Sequence, residues 1–165
     1  MELDEIDYKI LSALLQDGRK PARDIADEAG KHLSTITRRL KILEQEEIIK
    51  SYTALLNYES LGLELTVITE LIFSKGKLFE AEREIATIPG VCAVYDVTGR
   101  VDALVIAKFR NRDKISEFTK KLLAMPFVER TETFFVLNTI KEDFRLHKEI
   151  EKIAADLFKP GSNAF

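Results

Sequence analysis

The chain of 165 residues has one cysteine, Cys92, and two histidines, His32 and His147. A single thiol excludes an internal disulfide and, with no CxxC pair, a cysteine zinc site. Cys92 is expected to act as a small buried hydrophobe. No nucleophile-base pair, metal cluster or phosphate-cradling glycine loop occurs, so no motif calls for an enzyme or a bound cofactor. Apolar runs such as LTVIT and LIF stop well short of the roughly 18 residues of a membrane span, and no basic-then-apolar leader opens the chain. A cytoplasmic protein with no membrane partner is expected. Positive charge is not in excess either. Lys and Arg number 25 against 28 for Asp and Glu, a net charge of -3, so any surface for a polyanion has to be local. With 45% hydrophobic residues, the chain can bury about two-thirds of its unfolded surface, as one domain or two small ones.

What is present is periodicity. From Asp4, the residues Ile6, Ile10, Leu11 and Leu14 recur at helical spacing, and the helix is expected to end near Asp17-Gly18. A shorter helix follows, with Pro21 at its start, Ile25, Ala26 and Ala29 as apolar positions, and Gly30 as a left-handed stop. A third helix is expected over roughly 33–46, with Leu33, Ile36, Leu40 and Leu43 on one stripe. From Ile48 the pattern turns strand-like through IIKSYTALLN, until YESLG breaks it at 58–62. Beyond Gly62 the order strand, helix, strand occurs twice: LELTVITELIFS, a helix with Leu78, Ala81, Ile85 and Ile88 in register, and VCAVYDV; then DALVIAKF, a helix with Ile115, Phe118, Leu122 and Met125 in register, and ERTETFFVLN. Each helix exits through a proline, in IPGV and in MPFV, where a helix has to stop.

Two βαβ units joined by a short turn make a ferredoxin-like fold with both helices on one sheet face. The other face is bare. The alternating sets Val67/Thr69/Leu71 and Thr133/Phe135/Leu137 are assigned to it, and covering that apolar area requires a second subunit, so a homodimer is expected. The fold class is α+β: an N-terminal winged or helix-turn-helix three-helix domain plus a C-terminal ferredoxin-like βαββαβ domain. The boundaries are 1–50 for the helical domain, 51–62 for a hinge strand and linker, 63–140 for the sheet domain and 141–165 for a tail. In that tail Leu146, Ile150, Ile153, Ala154 and Leu157 predict an amphipathic helix ended by Pro160-Gly161. It serves either as an oligomer contact or as a cover over its own domain.

The third helix carries the most informative charge pattern. Residues 31–41, KHLSTITRRLK, hold four cations and no carboxylate. At 100° per residue, Ile36, Leu40 and Leu43 turn inward, while Ser34, Arg38, Lys41 and Gln45 lie opposite, flanked by Thr35 and Ile42. Such a face suits the DNA major groove, where Arg pairs bidentately with guanine, hydroxyls bond base edges or phosphates, and threonine methyls touch thymine. Carboxylates would be repelled by the phosphates. Three helices ending in this face form a helix-turn-helix unit whose third helix reads the duplex. Arg38 and Lys41 are the leading contacts. Arg39 and Thr37 point sideways, Arg39 toward an ion pair within the bundle, while Lys31 and His32 in the turn reach toward phosphates. The alternative is that the charges merely solvate an exposed face.

The run LDEIDYKILSALLQDGRKPARDIADEAG, the run TRRLKILEQEEIIKSYTALLN, and the segments VTGRVDALV and LLAMPFVERTETFFVL together resemble the leucine-responsive regulator and AsnC (Lrp/AsnC) family, the feast/famine transcription factors, over about residues 3 to 140. The resemblance implies an N-terminal helix-turn-helix, a hinge strand and a ferredoxin-like sensing domain that forms dimers and commonly octamers. By the same resemblance a Gly-x-x-Asp turn, here Gly99 and Asp102, helps to bind a free amino acid between dimers. Asp102 would accept the ammonium, and backbone N–H groups around Thr98 to Val101 or the fork of Arg100 would bind the carboxylate. Leu123 and Thr133 would border the pocket. The alternative is that Gly99 only makes a turn that Asp102 caps.

The chain departs from the family pattern at two places. Lys31-His32 stands where an aliphatic residue and Ser are usual, which removes an N-cap worth about 1 kcal/mol and predicts a later helix start. Glu47 stands where Gly is usual and has to avoid or tolerate a left-handed conformation. The implied partners are double-stranded DNA with a pseudo-palindromic operator, an amino-acid effector and further copies of the chain. Two other classes share features with this reading: an architectural protein that coats DNA with little sequence preference, and the siroheme decarboxylases, which resemble the same family and use histidine chemistry.

Overall fold

The computed structural model describes residues 2–74 and 78–159. The expected positions of the Leu78 side chain and of the Pro160-Gly161 stop lie outside the described residues. The elements in order are α1 Glu5–Gln16, α2 Ala22–Ala29, α3 Leu33–Gln45, a 3-10 turn Glu59–Leu61, β1 Leu65–Phe73, α4 Leu78–Ala86, β2 Val91–Asp96, β3 Ala103–Phe109, α5 Arg112–Leu123, β4 Val128–Phe135 and α6 His147–Leu157. The chain forms two units, Met1–Leu55 with Lys141–Phe165, and Leu56–Ile140. No helix among the described residues is long and apolar enough to cross a membrane.

In the first unit, Asp4 starts α1 with a reciprocal capping box. Its side chain accepts from the backbone N–H of Ile6 and Asp7, and its own N–H donates to Asp7 Oδ2 at 3.0 Å. Gly30, at φ 62°, stops α2 in the left-handed conformation that costs glycine nothing. The turn 30–32 then leads into α3. Ile10, Ala13, Ile25, Ala26, Ile36 and Leu43 form the core, with Leu14, Leu40 and Ile49 packed against it.

Leu33 is a correction: it is exposed at 48%, because the first turn of α3 projects past the core that Ile36 begins. The start of α3 is not delayed either. The helix begins at Leu33, with His32 as an N-cap that makes no side-chain cap bond. At the other end Glu47 adopts φ 55°, so the chain tolerates a left-handed residue where glycine would sit without strain. Residues 50–57 form no regular structure, although IIKSYTALLN reads as a strand. A strand needs a neighbour for its N–H and C=O groups, and none of the described residues pairs with this segment.

The tail helix α6 belongs to this first unit. It packs on α1, with Glu151 taking bonds from Ser12 and Gln16, and with the Tyr8 and Phe158 rings edge-to-face at 5.8 Å. In the single chain α6 covers part of its own first unit, while Leu146, Ile153 and Leu157 of the predicted stripe remain exposed.

The second unit is an antiparallel sheet of order β2-β3-β1-β4 with α4 and α5 on one face, the ferredoxin-like arrangement expected. Val67, Leu71, Ala81, Ile85, Val105, Ile115, Phe118 and Leu122 form the core beneath the helices. The sheet faces are therefore exchanged relative to the expectation. Val67, Thr69 and Leu71 are fully buried, and Thr133 and Phe135 pair with Thr69 and Val67 on that same side. The uncovered face carries Ile68 and Ile72 of β1, Ile106 of β3 and Phe134 of β4 on either side of Ile68, and Leu104 of β3 beside Glu70. Cys92 is a further correction. It is exposed because it sits in the register shift between Val91 and Ala93, where an extra residue turns its side chain out of the alternation.

Candidate nucleic-acid interface and ligand site

The fold presents the outer face of α3 much as its charge pattern requires. Ser34, Thr37, Arg38, Lys41 and Gln45 are exposed, and Thr35 is half-buried. Lys31 and His32 are exposed in the turn that precedes the helix. Among the described residues Lys31, Arg38 and Lys41 form no ion pair, so their charge is not already spent on a carboxylate of the fold. The Thr37 hydroxyl is spent: it donates to the Leu33 carbonyl at 2.9 Å, which leaves its methyl as the group facing outward.

Arg39 is taken out of the DNA-contact set. Its Nη2 bonds Asp4 Oδ2 and its Nη1 reaches Asp7 Oδ2 at 3.1 Å. Asp7 is completely buried. Arg39 thus ties the reading helix to the N-terminus of α1 and fixes its rotation about its own axis. Adjacent arginines on one helix therefore have opposite tasks, because neighbours in sequence point about 100° apart.

In the sheet unit the turn from 97 to 102 is built as the Gly-x-x-Asp pattern implies. Gly99 sits at φ 136°, a conformation reserved for glycine. Val97 N–H donates to the Asp102 carbonyl at 3.0 Å and Asp102 N–H to the Leu71 carbonyl at 2.9 Å. The Asp102 carboxylate accepts from Phe73 N–H at 2.8 Å. One of its oxygens therefore has a structural duty at the end of β1, while the turn itself is closed by the Asp102 backbone carbonyl and not by its carboxylate. Thr98, Gly99 and Arg100 are exposed, and Val101 is half-buried.

Arg100 and Val101 line a small cavity of about 200 Å³ on the uncovered sheet face, together with Glu70, Ile72, Arg130 and Glu132. Glu70 and Glu132 lie directly opposite each other across β1 and β4, which by itself is repulsive. Arg100 Nη2 meets both Glu70 oxygens at 3.3 Å, and Arg130 Nη2 meets Glu132 at 3.4 Å. Two ion pairs thus lie side by side at one depression, with the two carboxylates adjacent and an arginine on each. Leu123 and Thr133 do not join it. Leu123 is exposed at the end of α5, and the Thr133 hydroxyl bonds that of Thr69 at 3.0 Å on the helix-covered side. Glu70, Arg130 and Glu132 were missed by sequence reasoning, and only the strand register brings them together.

Near this turn Glu82 of α4 has a raised pKa, first from burial and then from the charges of Asp96 and Asp102. One of its oxygens is buried with no partner among the described residues.

A helix-turn-helix head with an unpaired cationic face, followed by a ferredoxin-like module, defines a DNA-binding transcriptional regulator with a separate ligand-binding domain. Comparison with known proteins agrees. Residues 3–50 match a winged helix-turn-helix DNA-binding family and residues 66–146 match the Lrp/AsnC ligand binding domain. A helix-turn-helix-type transcriptional regulator of Pyrococcus horikoshii is 47% identical over 146 residues, 88% of this chain and 99% of its own length. The regulator FL11 of the same organism is 35% identical over 144 residues, 87% and 95% of the two chains. Among solved structures, a transcriptional regulator from Neisseria meningitidis in complex with L-Met superposes with a TM-score of 0.80 at 31% identity, over 88% of this chain and 96% of that one. The chain belongs to the Lrp/AsnC family.

Proposed function

We propose that the protein is a sequence-specific regulator whose DNA affinity is set by a free amino acid. The observation that carries the DNA half is the outer face of α3, where Ser34, Arg38 and Lys41 stand exposed and the two cations form no ion pair among the described residues. Two such heads on a homodimer would read a pseudo-palindromic operator with half-sites about one helical turn apart, or a multiple of it. The uncovered sheet face supports dimerisation: Tyr95 and Phe134 are each 43% exposed beside half-buried Ile68, Ile72, Leu104 and Ile106, an apolar area that a monomer rarely leaves to water. Further association to an octamer is part of the same reading.

The effector half rests on the ion pairs Arg100–Glu70 and Arg130–Glu132 at the edge of the Gly99–Asp102 turn. Paired guanidinium and carboxylate groups suit a zwitterion, with the amino-acid carboxylate on arginine and its ammonium on a carboxylate. The bound methionine of the Neisseria relative supports this choice of ligand class. Effector binding changes DNA affinity only if the ligand prefers one arrangement of the assembly over another.

The role is binding, not catalysis, and it needs no cofactor. His32 precedes α3 and His147 opens α6, both outside the sheet unit, so the decarboxylase alternative lacks a histidine there. Footprinting on genomic fragments tests the DNA half: discrete protected sites are expected, and uniform coating would convert the protein into an architectural one. A thermal-shift screen of the standard amino acids tests the sensor half, since a native-state ligand raises stability by mass action. No shift with any amino acid would defeat that half alone.

A further inference from the structure

A cleft of about 450 Å³ opens between α6 and the helix-turn-helix helices α1 and α2. Side-chain size explains it. Ala13, Ala29, Ala154 and Ala155 all line the cleft, and their methyl groups leave unfilled the space that larger side chains close in a packed core. The volume falls within the roughly 300–1,000 Å³ of small-molecule sites. Its outer wall, α6, begins at His147, one residue past the end of the ligand-binding-domain match, so the cleft is separate from the sheet unit's turn.

The lining chemistry selects one class of occupant. Glu151 Oε1 accepts from Ser12 Oγ and Gln16 Nε2, both at 2.7 Å. Its charge is thus held in place by neutral donors, and its other oxygen takes part in neither bond. The remaining lining carboxylates are neutralised, Glu5 by Lys9 and Glu28 by Lys20. Tyr8 and Phe158, paired edge-to-face at 62°, also line the cleft, and aromatic faces attract cations. An anion would meet the unneutralised Glu151, and an uncharged ligand would leave that charge without a counter-ion.

We infer that this cleft binds a small organic ammonium ion with an apolar body. The ammonium sits on Glu151 beside the Tyr8 and Phe158 rings, and the hydrocarbon part lies over the alanines. Because α6 forms one wall and the DNA-binding head the others, occupancy holds α6 against the head. The effector is then read by the unit that contacts DNA, independently of the sheet unit.

Calorimetric titration of the full chain with phenethylammonium, and with 2-phenylethanol as the uncharged counterpart, tests this. Saturable binding of the ammonium compound is expected, with much weaker binding of the alcohol. Glu151→Gln keeps an oxygen for Ser12 and Gln16 but loses the charge, and is expected to weaken binding about tenfold or more. Ala155→Leu fills the cleft and is expected to abolish binding; should it undock α6, the Glu151→Gln comparison still decides. Absence of saturable binding to the unmutated chain, equal affinity for the alcohol, or unchanged affinity in Glu151→Gln overturns the inference. The probe has no carboxylate, so its failure leaves the amino-acid reading of the sheet unit untouched.

Discussion

Replacing Arg39 with alanine is expected to destabilise the helix-turn-helix unit by about 2–3 kcal/mol. Asp7 is completely buried, with Oδ2 held by Arg39 Nη1 and by Asp4 N–H, and Oδ1 without a partner among the described residues. Removing the guanidinium leaves that carboxylate inside the helical core with one backbone donor. Breaking a fully buried pair costs about 3–5 kcal/mol. The lower figure applies because the Arg39 side chain is 22% exposed and that of Asp4 is 42% exposed, so water partly replaces the lost contacts.

For a unit of this size the transition is expected to move down by about 10–20 °C, read by circular dichroism during heating. Arg39→Lys keeps a cation but not the fork that reaches two carboxylates, so an intermediate loss is expected. Adding Asp7→Leu to Arg39→Ala removes the stranded charge and is expected to recover part of the loss, less the capping bond to Asp4 N–H. A loss below about 0.5 kcal/mol, or full stability accompanied by lost DNA affinity, would refute the argument and return Arg39 to the DNA interface.

Arg38→Ala is expected to cost about 1–3 kcal/mol in specific DNA binding with stability unchanged; a gel-shift titration with unaltered sequence preference removes Arg38 as a base reader. Glu47→Gly relieves a left-handed residue and is expected to stabilise by about 1 kcal/mol in urea denaturation, and a loss would show that the Glu47 side chain contributes more than its backbone costs. Gly90→Ala is expected to cost on the order of 2–3 kcal/mol. Gly90 has φ 94°, and an added Cβ would lie 2.8 Å from the Lys108 carbonyl and 3.0 Å from the Phe109 ring; a neutral result by the same assay would mean β2 and β3 can separate cheaply. Glu82 binds its proton more tightly folded than unfolded, because burial raises its pKa. Its ionised form therefore costs stability in full above the raised pKa, and the cost fades as pH falls from there to the ordinary carboxylate value, below which it is gone. Glu82→Gln is expected to raise the melting temperature at neutral pH and not in acid, and an equal gain at both would refute this cause.

The helical unit was legible because its signals are local. Period, proline and glycine bound α1 and α2, and each acts within a few residues. The sheet was legible as topology, since two strand-helix-strand runs with proline exits allow few arrangements. Its faces were not. In β1, Val67, Thr69 and Leu71 alternate with Ile68, Glu70 and Ile72, and both sets contain large apolar residues. Period two separates the sets without saying which the helices cover, and a shift of one residue exchanges them. The apolar character of the uncovered face is what made it ambiguous. Thr133 was misplaced by that exchange, and Cys92 by a bulge.

Charge on a helix face shows what could meet a polyanion; availability depends on carboxylates that folding brings from elsewhere. Arg38 and Arg39 are indistinguishable by composition, yet Arg39 is claimed by Asp4 and Asp7, 35 and 32 residues earlier in the chain. Those two aspartates read locally as a cap for α1, and they do cap it, but Asp4 Oδ2 and Asp7 Oδ2 also take the two guanidinium nitrogens of Arg39 on α3. One pair of side chains therefore starts the first helix and orients the third. The same logic holds for Glu151, which α6 brings to Ser12 across a separation of 139 residues. Within the helical unit, Lys31, Arg38, Lys41 and Glu151 are left without an opposite charge among the described residues, whereas Arg39 and Glu28 each meet a partner that folding brings to them.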